Sequence, residues 1–191
     1  MLNTFLSQVR DQVSRNIIKT VGQSNLIEEA MLYSASADSK MIRAALIFAS
    51  GKINKSISDK SLLTLATAIE LIHTYSLIHD DLPALDNDDY RRNKPSNHKK
   101  FSESTAILSG DALQSLAFEI LSDEMKDIEA NKQIKLINCL SNKIGPIGMV
   151  GGQIIDLSSK KNQLSIDEVN EMHNLKTANL FSFSCQSGAI I

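Results

Sequence analysis

Cysteine, proline and glycine are all scarce in this chain, and each scarcity removes an option. The two cysteines, Cys139 and Cys185, stand far apart. That excludes a disulfide-stapled secreted scaffold and a paired-cysteine metal site, and it points to a reducing cytoplasm. Three prolines and eight glycines in 191 residues leave few natural breaks, so long regular elements are expected. A formal charge of −2 supplies no basic excess for nucleic acid. No apolar run approaches membrane-spanning length. The first twenty residues carry Arg10, Asp11, Arg15 and Lys19 and lack the apolar core of a signal peptide. What remains is an ordinary globular chain, 42% hydrophobic, long enough for a sizeable core in one domain spanning 1–191.

Alternation of the β type is also missing, while helical spacing recurs throughout. Leu2, Phe5, Leu6, Val9, Val13 and Ile17 form one face of a first helix. Ser24 is placed to cap a second, with Glu28 and Glu29 near its start. A third is expected from Lys40 to Ser50, a fourth from Asp59 to Asp81, and others from Ser102 to Ser122 and Ile128 to Ile144. Pro146 to Leu157 is apolar and glycine-rich. A last helix opens on Ser165-Ile166-Asp167-Glu168, a capping box, with Leu164 and Val169 set for a hydrophobic staple. It is expected to run to the chain end, where Ala189-Ile190-Ile191 would be oddly apolar for an exposed terminus. The fold class is all-α, a bundle of long helices.

Against this background one acidic segment stands out. Asp80, Asp81, Asp86, Asp88 and Asp89 fall within ten residues, followed by Arg91 and Arg92. They come straight after Leu62 to Ile78, a stretch so apolar that its helix must be buried on all sides. Two like charges about 4 Å apart repel by roughly 4 kcal/mol at an intermediate dielectric, so a cation is the natural occupant. Oxygen ligands alone suit Mg²⁺ bridging carboxylates to substrate phosphates, and guanidinium groups grip phosphate oxygens in pairs. A calcium hand fails on spacing, since Arg91 stands where its glycine is needed and Asn97 where its glutamate is. His73, Leu77 and Asp80 share one stripe of the helix. Pro83 forces the chain to unwind, which lets Asp86 return toward Asp80.

Other candidates are weaker alone. Lys40 and Arg43 are three apart at the start of the third helix, on one face, where an anion is favoured. By themselves they read more simply as a solvated basic face. Gly151-Gly152 would let helices approach closely, turning Gln153 and Asp156 toward the site. Lys176-Thr177 follows His173 by about one turn. A surface lysine is the default there unless phosphate is near.

Taken together these segments resemble the trans-isoprenyl diphosphate synthase family, and within it the bacterial farnesyl diphosphate synthases. The resemblance runs from about Glu29 to the end. It rests on Asp80-Asp81-Leu82-Pro83-Ala84-Leu85-Asp86 with Arg91-Arg92, similar to the family's first aspartate-rich motif. It rests also on His73-Thr74-Tyr75-Ser76-Leu77-Ile78-His79, Ser109-Gly110-Asp111-Ala112-Leu113-Gln114, Gly151-Gly152-Gln153 with Asp156, and Lys176-Thr177. It implies an all-α fold around a central cavity and Mg²⁺-dependent condensation of isopentenyl diphosphate with an allylic diphosphate. On that match Asp80 and Asp86 would bind Mg²⁺, with Asp81 in support. Arg91, Lys176 and Thr177 would hold the allylic diphosphate, and Lys40, Arg43, His73 and Arg92 isopentenyl diphosphate. Tyr75 resembles an aromatic floor that favours a farnesyl product over a geranylgeranyl one. A homodimer is implied too.

The chain also departs from the pattern. The family's glycine-glycine-lysine-arginine-x-arginine-proline segment stands here as Asp38-Ser39-Lys40-Met41-Ile42-Arg43-Ala44, and Asn93 replaces the glycine that usually follows the arginine pair. No second aspartate-rich motif occurs before Ile191. The expectation is therefore the N-terminal portion of a longer synthase, inactive alone. The alternatives are a geranylgeranyl diphosphate synthase, a non-catalytic partner subunit, or a terpene cyclase. The two cation pairs argue against the cyclase, which handles one diphosphate.

Overall fold

The computed structural model describes residues 2–159 and 163–191. Met1 of the expected first helix lies outside them. Ten α-helices, one π-helical segment and one tiny hairpin make up the described residues. The helices are α1 (Leu2–Val21), α2 (Leu26–Ala35), α3 (Ile42–Gly51), α4 (Asp59–Asp80), α5 (Asn97–Lys100), α6 (Glu103–Ser122), α7 (Ala130–Ile144), α8 (Met149–Ser159), α9 (Ile166–His173) and α10 (Asn179–Ile190). Strands β1 (Tyr90–Arg91) and β2 (Lys94–Pro95) pair antiparallel.

Helix α4 is the axis of the molecule. Ser58 caps it, accepting from the Ser61 amide at 3.2 Å. Asp127 anchors the same end, accepting from the Ser58 amide at 2.5 Å. Helix α6 packs along one side of α4 and α3 along another, with α1 and α2 completing the enclosure. Leu62, Leu65, Ile69, Leu71 and Ile72 are fully buried in consequence. The apolar run thus makes an interior helix, as its unpatterned hydrophobicity requires. By length and composition α4 would suffice to cross a membrane, yet 72% of its most apolar window is buried inside this fold. The expectation that no run approached that length is corrected to this extent.

Several helix starts differ from expectation for local reasons. Asn25 rather than Ser24 caps α2, accepting from the Glu28 amide at 3.0 Å, while Ser24 and Glu28 bond across the junction. Helix α3 begins two residues late. Met41 sits in the left-handed region at φ 45°, so Lys40 stays outside the helix and does not share a helical face with Arg43. Leu2 is exposed, so the buried stripe of α1 begins with Val9 and continues through Val13, Ile17 and Val21. The capping box at Ser165 is present, with its hydroxyl accepting from the Glu168 amide and its own amide donating to Glu168 Oε2. The last helix is not continuous, because Asn174–Ala178 widens into a π segment between α9 and α10.

Candidate active site

The site begins where α4 ends. Asp80 closes the helix, and the turn that Pro83 enforces brings Asp86 back to it, the Asp86 amide donating to the Asp80 carbonyl at 2.9 Å. Asp86 is close enough that its charge raises the Asp80 pKa, which burial raises most and Lys176 lowers. The Asp80 carboxylate accepts from the Gln153 amide and lies 3.3 Å from Lys176 Nζ. Lys176 in turn donates to Asp156 at 2.5 Å. Burial works to lower the Lys176 pKa, but Asp156 and Asp80 together hold it above the usual lysine range.

Two features bring these residues together. A Cβ on Gly152 would fall 2.4 Å from the Lys176 amide nitrogen, so only glycine lets α8 touch the π segment there. The π segment carries Lys176 and Thr177 where a single-turn widening re-aims side chains, a feature frequent at functional sites. Above them opens a cavity of about 350 Å³. Asp80, Gln153, Lys176 and Thr177 form its polar end, and Leu77, Met149, Ile154, Leu157 and Leu180 supply apolar wall. Tyr75 lines it as well. Its hydroxyl is buried without a hydrogen-bond partner among the described residues, its ring stands edge-on to His79 at 5.8 Å, and burial pushes its pKa up to about 12. His79 is backed by Gly110, where a Cβ would fall 2.2 Å from its Nε2.

A second pocket of about 300 Å³ adjoins the first. Lys40, Arg43, His73 and Arg92 line it, with Glu70 and Phe181. Arg43 and His73 line both pockets and so form a shared wall. The Arg43 guanidinium stacks over the Phe181 ring at 4.4 Å, and its Nε is buried without a hydrogen-bond partner among the described residues. Burial, reinforced by Arg43, Arg92 and Arg91, pulls the His73 pKa down to about 3, so its imidazole is neutral near pH 7. His73 therefore presents the pocket with a hydrogen-bonding group and not with a cation.

The arginine pair sits on the hairpin. Its two-residue loop, Arg92-Asn93, has φ 53° and 61°, the double left-handed geometry of a tight hairpin turn. Arg91, on the strand, turns to Asp81, donating from Nε at 2.9 Å, and to Asp88 at 3.1 Å. Arg92, in the loop, leaves in another direction and donates to the Ala37 carbonyl at 3.3 Å. Of the expected site residues, then, Asp80, Lys176 and Thr177 share one cavity, and Lys40, Arg43, His73 and Arg92 share the next. Arg91 stands apart with Asp81 beyond the cavity lining, and Asp86 approaches Asp80 from the loop side.

Glu70 went unnoticed in the sequence. It was one acid inside a run read as apolar, and that isolation was the available signal. Only 4% exposed, it lies in the cation-lined pocket and accepts from the Ala44 amide at 3.1 Å.

The donor set can be tested for a metal. Among the described residues no three acidic, histidine or cysteine side chains converge on one point. Asp80 and Asp86 supply hard oxygen atoms across a turn, and Asp81 is engaged by Arg91. That set fits an ion taking its remaining ligands from phosphate and water, which is the habit of Mg²⁺, and fits neither zinc nor a full calcium cage.

Comparison with known proteins identifies the family. The polyprenyl synthetase family model matches residues 24–191. A farnesyl diphosphate synthase of Bacillus subtilis is 37% identical over the whole chain, which covers 65% of that protein. A geranylgeranyl diphosphate synthase of Cyanophora paradoxa is 41% identical, again over the whole chain and 64% of its own length. Among solved structures, an FPP/GFPP synthase of Zymomonas mobilis superposes with a TM-score of 0.94 at 40% identity, over 99% of this chain and 70% of that one. The chain thus spans just under two thirds of the curated relatives' length.

Proposed function

This chain belongs to the polyprenyl synthetase family, and on that premise we propose that it serves a Mg²⁺-dependent prenyltransferase. The reaction would condense isopentenyl diphosphate with dimethylallyl diphosphate to give geranyl diphosphate, and a second isopentenyl diphosphate with that to give farnesyl diphosphate. One observation carries the reading: an acid-ended apolar cavity and a cation-lined pocket meet at a shared wall of Arg43 and His73. A one-substrate enzyme has no use for the second pocket.

On this reading the allylic chain lies along the apolar wall, with its diphosphate at Asp80, Lys176 and Thr177. Asp80 and Asp86 would hold Mg²⁺, which when bound neutralises the departing diphosphate. Lys176 supplies a fixed positive charge beside the leaving group, and Arg91 completes the set from the hairpin, where Asp81 and Asp88 already orient it. Stabilising charge where it develops lowers the barrier. The carbon–oxygen bond breaks, the isopentenyl double bond attacks the allylic carbon, and a proton is lost. Lys40, Arg43 and Arg92 hold the second diphosphate by charge, and neutral His73 by hydrogen bonding. The apolar wall keeps water from the electron-poor carbon.

Tyr75 lines the cavity and, taken as its floor, would favour a fifteen-carbon product. The reading extends to residues 1–191 as one all-α unit, to a homodimer without nucleic-acid or membrane partners, and to the cytoplasm. Ile107 and Leu108, exposed on the outer face of α6, offer a surface that a second copy would cover. Two free cysteines suit a reducing compartment. The test is product analysis: the chain incubated with isopentenyl and dimethylallyl diphosphates, with Mg²⁺ or with a chelator, then phosphatase and identification of the prenyl alcohols. Farnesol appearing only with Mg²⁺ supports the reading and overturns the expectation that this stretch is inactive alone. A product formed equally in the chelator contradicts it.

A further inference from the structure

The cation-lined pocket poses a problem of its own. Lys40, Arg43 and Arg92 converge on about 300 Å³. Burial and the charge of Arg92 lower the Arg43 pKa, and burial and the charge of Arg91 lower that of Arg92, so neighbouring guanidiniums repel here. Cations gathered this way would splay apart unless something opposite in sign stood among them. Asp38, the other acid at this pocket, is exposed and on the rim, where solvent screens it.

Glu70 is the remaining acid at the pocket, and it comes from a different direction. It rises from the middle of α4, is 4% exposed, and reaches the first turn of α3. There its Oε1 accepts from the Ala44 amide, third in the helix and one residue after Arg43. Helix α3 has no side-chain cap of its own, because Met41 is the N-cap residue and makes no such bond. A carboxylate at an open helix start meets both an unpaired N–H and the positive end of the dipole. Burial raises the Glu70 pKa on balance, while the Ala44 amide and both neighbouring guanidiniums favour its charged form.

We propose that Glu70 is a positioning residue: a buried counter-anion that fixes the start of α3 and keeps Arg43 and Arg92 gathered around the pocket before the second diphosphate arrives. It touches neither substrate nor metal and acts through the two arginines. The inference rests on the assignment of this pocket to isopentenyl diphosphate.

The test is calorimetric titration of the 191-residue chain with isopentenyl diphosphate and, separately, with geranyl diphosphate plus Mg²⁺. Glu70→Gln keeps an oxygen for the Ala44 amide and removes the charge. It is expected to weaken isopentenyl diphosphate binding by about tenfold, the cost of roughly one charge-assisted contact, and to leave geranyl diphosphate within about twofold. Glu70→Asp, which keeps the charge, is expected to stay closer to wild type than Glu70→Gln. A purely structural role would weaken both ligands alike, and that outcome overturns the inference, as does unchanged or tighter binding of isopentenyl diphosphate in Glu70→Gln. If Glu70→Gln fails to fold, Glu70→Gln with Arg92→Gln, which removes one repelling cation, is expected to recover the fold. Continued failure of the double variant overturns the inference. Wild type binding geranyl diphosphate but not isopentenyl diphosphate would remove the pocket's assignment and the inference with it.

Discussion

At the scale of single residues, His73 shows how burial rewrites a side chain's chemistry. An unfolded chain protonates this imidazole near pH 6.5, whereas the folded protein resists protonation until about pH 3. Between those values the unfolded state binds more protons. Stability is therefore full above about pH 6.5 and falls as pH drops toward 3, by at most about 1.4 kcal/mol per pH unit. Urea midpoints at pH 7 and pH 4.5 check this. Wild type is expected to lose more stability across the interval than His73→Gln, which cannot titrate, and parallel losses would show that His73 is not held neutral. The chemistry-bearing residues near the acid motif were legible because their spacing on one helix is fixed by its pitch. Asp80 and His73 needed no tertiary knowledge to be placed on one stripe. Glu70 was not legible, because nothing local says what a lone acid in an apolar helix will meet. Its partner amide at Ala44 is 26 residues away in sequence.

At the scale of elements, two short irregular pieces do the aiming. The π segment Asn174–Ala178 was read as ordinary helix, since its composition carries no mark of the extra residue per turn. The glycine pair opposite it did carry a mark, because glycine within an apolar helix needs a reason. Gly152→Ala would drive a methyl into the Lys176 backbone. It is expected to cost about 1–3 kcal/mol, as overpacking does, measured by urea denaturation. By moving Lys176 it should also weaken Mg²⁺-dependent binding of geranyl diphosphate. Full retention of both would mean that the contact yields easily. The hairpin was missed because two-residue strands are too short to show alternation. Its turn explains why glycine suits position 93 and why asparagine is tolerated: both accept φ 61°. Asn93→Ala should cost about 1 kcal/mol, while Asn93→Gly should be neutral or stabilising. The order of their urea midpoints checks it. Lys40 was misplaced for a related reason. A left-handed methionine at position 41 is not written in any propensity, and it takes Lys40 off the helix while leaving it at the pocket.

At the scale of the molecule, the architecture is a consequence of α4. An apolar helix of 22 residues must be enclosed, and the helices that enclose it leave its C-terminal end open for charge to gather. The all-α class was legible from periodicity alone, because long helices repeat the same signal many times. The relation between the two pockets was not, since it depends on α3, α4 and α10 meeting at Arg43, His73 and Phe181. That relation is the centre of the functional account: two diphosphate sites, one built on carboxylates and one on cations, differing in their need for metal. The most direct test titrates this chain with geranyl diphosphate and with isopentenyl diphosphate, each in Mg²⁺ and in chelator. The account predicts that geranyl diphosphate binds only with Mg²⁺, and that isopentenyl diphosphate binds in both conditions. Equal binding of geranyl diphosphate in chelator, or a matching metal requirement for isopentenyl diphosphate, would contradict it.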